Sequence, residues 1–81
     1  MIIQTHTPED NMRGICKVYA RSIVRAAGAE LRAENEHELR SRVRVRLSAL
    51  RAGDLVEGID AAGKREFVLQ LTNEVIQRIQ A

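Results

Sequence analysis

Residues 40–51 read RSRVRVRLSALR, five arginines and no acidic residue. This stretch constrains the fold more than any other. So cationic a surface must stay in water, and the apolar residues within it must all leave on one side. Leu39, Val43, Leu47 and Leu50 recur at spacings of four, four and three, which is one face of an α-helix. The competing strand pattern alternates Arg and Val over residues 42–47 and is broken by Ser48-Ala49-Leu50. The spacing predicts a helix over about residues 36–51. Asn35 and Glu38 form a capping-box-like start, and Gly53 stands near the end. Val45 is the misfit, an apolar residue on the outward side among arginines. It suits a thymine methyl in a groove or an apolar spot on a protein partner.

At 81 residues the chain is one small domain. Its aromatic content is 2%, from Tyr19 and Phe67, so the core must be aliphatic. The same scarcity disfavours binders that stack bases on aromatic platforms. The net charge is only +2, but it is unevenly spread: Glu30, Glu34, Glu36 and Glu38 precede the arginine run. Arginine outnumbers lysine 11 to 2, and its planar fork suits phosphate, carboxylate or guanine edges. Cys16 is the only cysteine, which excludes an intramolecular disulfide and points to a reducing compartment. Met1-Ile2-Ile3 has no basic start and is too short for a signal peptide, and no apolar run suits a membrane. The expectation is a soluble cytoplasmic protein without a membrane partner.

Upstream, Thr7-Pro8-Glu9-Asp10 is a helix start, and Met12, Ile15, Tyr19, Ile23 and Ala26 share a face. Gly28 reads as the stop of a helix over about 8–27. Arg13, Lys17, Arg21 and Arg25 recur every fourth residue on another face, a stripe that is either merely solvated or turned to phosphate. A short helix over 29–34 follows, with Leu31 inward. Met1 to Thr5 suits a short extended segment, and His6 lies in a disordered-looking terminus. Downstream, Leu55-Val56-Glu57-Gly58-Ile59 is partly β-branched, and Asp60-Ala61-Ala62-Gly63-Lys64 has hairpin-turn chemistry. Phe67, Leu69 and Leu71 alternate beyond it. These signals predict a hairpin of strands 55–59 and 65–71, then a helix over 73–80 capped by Thr72. A rival reading makes residues 60–80 one long helix in a plain three-helix bundle.

The run VRVRLSALRAGDLVEGIDAAGKREFVLQLT resembles the recognition helix, wing and following helix of bacterial winged helix-turn-helix repressors. Val43, Leu47, Leu50, Gly53, Leu55 and Val56 match the core and wing-entry places, Asp60, Gly63, Lys64 and Arg65 the wing turn, and Leu71-Thr72 the closing strand. Asp54 is an insertion relative to that pattern, and Arg32 and Glu34 stand where small or apolar residues are usual. The resemblance covers about residues 36–73. It implies a mainly α domain with a small β-hairpin (α+β). It also implies double-stranded DNA as partner, with Arg40, Ser41, Arg42 and Arg44 in the major groove and Lys64 and Arg65 on the backbone. A small transcriptional regulator acting as a homodimer or with a regulatory protein is the function expected.

The competing reading is a protein-binding inhibitor or adaptor using the same mixed-charge helix, because Glu36 and Glu38 would repel phosphate yet suit ion pairs with Arg40 and Arg42. A purely structural subunit is a third reading. Arg46, close to the apolar stripe, is expected to pair with a carboxylate such as Glu74. Glu34 and His37 make a single E-x-x-H, whereas carboxylate-bridged di-iron bundles need two. Cys16 falls beside an apolar face and reads as a small buried residue. No catalytic constellation, metal site or phosphate loop is expected, and so no enzyme and no cofactor.

Overall fold

Helix α1 spans Pro8–Leu31, α2 spans Glu36–Ala49 and α3 spans Ala61–Gln80, with a single 3-10 turn at Ala52–Asp54. The structure, a computed structural model, describes residues 8–80. The expected extended segment at residues 1–5, His6 and the Thr7 cap lie outside these residues. The chain runs up, down and up. Cys16 lies against Phe67 near the start of α3, and Ile79 and Gln80 at its end border the same hollow as residues 32–36. So α1 and α3 run parallel and α2 runs against both.

The core is aliphatic, as the composition requires. Cys16, Ala20, Ile23, Ala27 and Leu31 of α1 meet Phe67, Leu71, Val75 and Ile76 of α3, and Leu39, Val43 and Leu47 close it from α2. The buried face of α1 is turned from the expected one toward Cys16, leaving Ile15 and Ala26 exposed. α2 keeps the expected face, although Leu50 remains 48% exposed at its end. Its start is also as expected: the Asn35 side chain accepts the Glu38 N–H at 2.8 Å.

The α+β winged arrangement is overturned. Among the described residues there is no strand, and residues 61–80 form one helix. The supposed hairpin turn is a helix cap. Asp60 Oδ1 accepts the Gly63 N–H at 2.7 Å, and its carbonyl accepts the Lys64 N–H at 2.9 Å. Gly63 lets the cap fit, because a Cβ there would stand 3.2 Å from both Asp60 Oδ1 and Ile59 Cβ. Phe67 and Leu71 are fully buried while Leu69 is 47% exposed, a helical spacing of four rather than an alternation. Residues 55–60 lay Leu55 and Val56 on the core as a loop. Thr72, expected to cap a last helix, is buried in the middle of α3, where its hydroxyl donates to the Val68 carbonyl at 2.7 Å.

The expected stop at Gly28 and the separate helix over 29–34 are likewise replaced by continuous α1. A mid-helix glycine costs about 1 kcal/mol relative to alanine. Burying Leu31 beyond it gains about 1.5–3 kcal/mol, so the helix continues. Among the described residues, no helix is long and apolar enough to cross a membrane.

These packing assignments separate two neighbouring leucines. Leu71→Ala is expected to destabilise the protein by about 2–5 kcal/mol in chemical denaturation, and Leu69→Ala to stay within about 0.5 kcal/mol. A closing strand with Leu69 and Leu71 on one side would make the two losses alike.

Candidate functional site

Residues i and i+2 on an α-helix point about 200° apart. The alternating arginines of α2 are therefore sorted onto two flanks. Arg42 and Arg46 face α1. Arg40 and Arg44 face α3, with Arg51 just past the helix end. The α2 residues expected together in the major groove, Arg40, Ser41, Arg42 and Arg44, are dispersed by this geometry.

The flank toward α1 is consumed by the fold. Arg42 Nη1 donates to the Arg32 carbonyl at 2.8 Å, and Arg42 Nη2 pairs with Glu38 Oε1 at 2.7 Å. A guanidinium at the C-terminal end of α1 satisfies carbonyls that have no helical partner and meets the negative end of the helix dipole. Arg46 pairs with Glu30 instead of the expected Glu74, which lies 3.9 Å from Arg78. Ser41 and the 68% exposed Val45 line a shallow hollow of about 400 Å³ between these two arginines and Leu31.

On the other flank, Arg40 donates to Asn73 Oδ1 at 3.0 Å and lies 3.9 Å from Glu36. Such exposed pairs are worth about 0–1 kcal/mol each, yet they hold the guanidinium against the protein. Lys64 belongs to the first turn of α3, not a wing tip, and pairs with Asp54 at 3.3 Å. Arg65 is exposed on α3. Of the expected contact residues on α2, Arg44 is the one cation without an ion pair among the described residues. It borders an open groove of about 620 Å³ between α2 and α3, together with Ser48 and Arg51. Arg51 was not singled out by the sequence pattern as a contact residue. It lies past the end of α2 with a left-handed backbone, so helical spacing in the sequence does not place it on the groove.

The basic stripe of α1 is different in kind. Arg13, Lys17, Arg21 and Arg25 are all exposed. Lys17, Arg21 and Arg25 make no ion pair among the described residues, and no acidic residue occurs between Asp10 and Glu30. Successive members are displaced by about 6 Å along the axis and about 40° around it, so the stripe runs for about 18 Å. Val18, 66% exposed, lies beside it.

Cys16 offers no nucleophile. Its side chain is fully buried, and its Sγ lies 3.8 Å from the Phe67 carbonyl. Burial, with a smaller contribution from the Glu74 charge, raises the thiol from 9.0 to about 11, so it stays protonated at neutral pH. Among the described residues no cluster of three or more His, Cys, Asp or Glu side chains could hold a metal ion.

No protein-family model, curated protein or solved structure matches the chain. The assignment of a site therefore rests on the arrangement of these side chains.

The buried thiol carries a pH signature. The folded state holds its proton more tightly than the unfolded state, so this contribution to stability is complete below pH 9. It is lost as pH rises from 9 toward 11. Denaturation midpoints are expected to fall across that window in the native protein and to fall less in Cys16→Ala. Parallel curves for the two proteins would show that Cys16 is not the group responsible.

Proposed function

We propose that the chain binds the sugar-phosphate backbone of double-stranded DNA through the basic stripe of α1, and acts by occupying the duplex. The observation that carries this reading is the stripe itself: Arg13, Lys17, Arg21 and Arg25, exposed along about 18 Å of one helix. Arginines that serve only to keep a helix wet acquire acidic neighbours at low cost, as Glu36 and Glu38 show on α2. On α1, Lys17, Arg21 and Arg25 have no acid within one helical turn, because none occurs between Asp10 and Glu30. A duplex carries one negative charge per about 1.7 Å of its axis, so a stripe of this length meets several phosphates.

The binding mode is backbone attraction rather than base reading. α2, expected to be the recognition helix, has Arg40, Arg42 and Arg46 engaged with its own protein. A regulatory role would then follow from occupancy alone or from a second protein that supplies sequence selectivity. The reading assigns no catalytic step.

Four phosphate contacts predict that log affinity falls with log salt at a slope of about −3.6 for B-form DNA. Anisotropy titrations of a labelled duplex at several salt concentrations measure it. Lys17→Ala with Arg21→Ala is expected to reduce the slope by about 2. Arg40→Ala with Arg42→Ala should leave the slope unchanged. A native slope shallower than about −1, or one retained after both α1 cations are removed, would sink the proposal.

A further inference from the structure

Gly14 lies inside α1, on its exposed side. A glycine within a helix destabilises it relative to alanine, because more backbone freedom is lost on folding. A positive φ or the close approach of a neighbour can require one all the same. Gly14 has no positive φ, and a Cβ built on it meets nothing within 4 Å among the described residues. Gly28, in the same helix, is different, since a Cβ there would stand 3.3 Å from Val24 Cγ1. Packing within the chain therefore bears on Gly28 and leaves Gly14 facing open space.

That space adjoins the basic stripe. Lys17 and Val18 are the i+3 and i+4 neighbours of Gly14, about 60° to one side of it and about 40° to the other. Arg21, seven residues on, lies about 20° from it around the axis. Helical side chains lean toward the N-terminus, so Lys17 and Val18 lean toward the turn that holds Gly14. All three are exposed, Val18 to 66%. The missing side chain thus leaves bare backbone with cations along one side and an apolar group on the other.

We infer that the duplex makes its closest approach to α1 at Gly14. A deoxyribose-phosphate unit lies against the bare helix there, with Lys17 and Arg21 toward the phosphate and Val18 toward the sugar. The inference rests on the DNA reading of the stripe and deepens it, by stating which side of the stripe faces the duplex. A phosphate calls for the cations, and the C–H surface of the sugar ring suits the valine. A stripe that is only solvated calls for neither the valine nor the gap.

The test uses the full chain and the same labelled duplex, read by anisotropy. Gly14→Ala and Gly14→Gln each put a better helix former at the position, so both thermal midpoints should rise. Binding should fall with the volume added: Gly14→Gln is expected to bind about tenfold more weakly, a loss of about 1.4 kcal/mol, and Gly14→Ala to lose less. The salt slope should stay native in both, because no cation is removed. Ser48→Gln, on the exposed side of α2, should bind as the native protein does. Native affinity in Gly14→Gln beside a native slope of about −3.6 would overturn the inference and leave the stripe reading standing. So would an equal loss in Ser48→Gln. A lowered midpoint in Gly14→Ala would also count against it, by showing that the fold itself requires the glycine. A native slope shallower than about −1 would remove the stripe reading and this inference with it.

Discussion

The packing of Phe67 into the seam between α1 and α3 is the constraint on which the rest of this protein rests. The ring is fully buried, and the chain has no other large core aromatic to take its place. α1 accommodates it by presenting small residues, Cys16, Ala20 and Ala27, along the buried face. Small side chains let two parallel helices approach closely along their length, and Leu71, Val75 and Ile76 continue the seam. α2 then needs only three buried residues, Leu39, Val43 and Leu47, to close the bundle. Its other residues are free to carry charge.

That freedom is used unevenly. The arginines of α2 act mostly as stitching: Arg42 fastens α2 to the end of α1, Arg46 reaches Glu30, and Arg40 reaches Asn73 on α3. A run that looks in one dimension like a concentrated positive surface becomes in three dimensions a largely self-neutralised helix. The α1 cations, spread thinly through the sequence, lie together in space because a period of four nearly matches the helical turn. Density along the chain was thus a poor guide to density on the surface.

The elements that were legible in the sequence are those decided by local chemistry. The buried face Leu39, Val43 and Leu47, the Asn35 cap, the pairs of Glu36 with Arg40 and Glu38 with Arg42, and the outward Val45 all follow from spacing within one helix. The misread parts are those where local chemistry serves two structures equally. An aspartate three residues before a glycine suits a hairpin turn and a helix cap alike, since both satisfy backbone N–H groups with the carboxylate. What decides for the cap at Asp60 is the burial of Leu71, Val75 and Ile76 against α1, a partner far away in sequence. Gly28 is the same case: its local preference for a stop yields to the burial of Leu31. The candidate site was hidden for a related reason, because pairings of Arg40 and Arg46 across helices remove cations that the sequence shows as available.

Tyr19 and Phe67 meet edge to face, with ring centroids 6.3 Å apart and planes at 86°. It is the single tyrosine, and the chain has no tryptophan. The protein's one intrinsic fluorophore therefore sits on the seam that holds the bundle together. Its emission is a gauge of how closely α1 and α3 are seated, obtained without any label, and it is insensitive by position to events confined to the outer edge of α2. A ligand that pries the two parallel helices apart would separate Tyr19 from Phe67 and so act on this fluorophore directly.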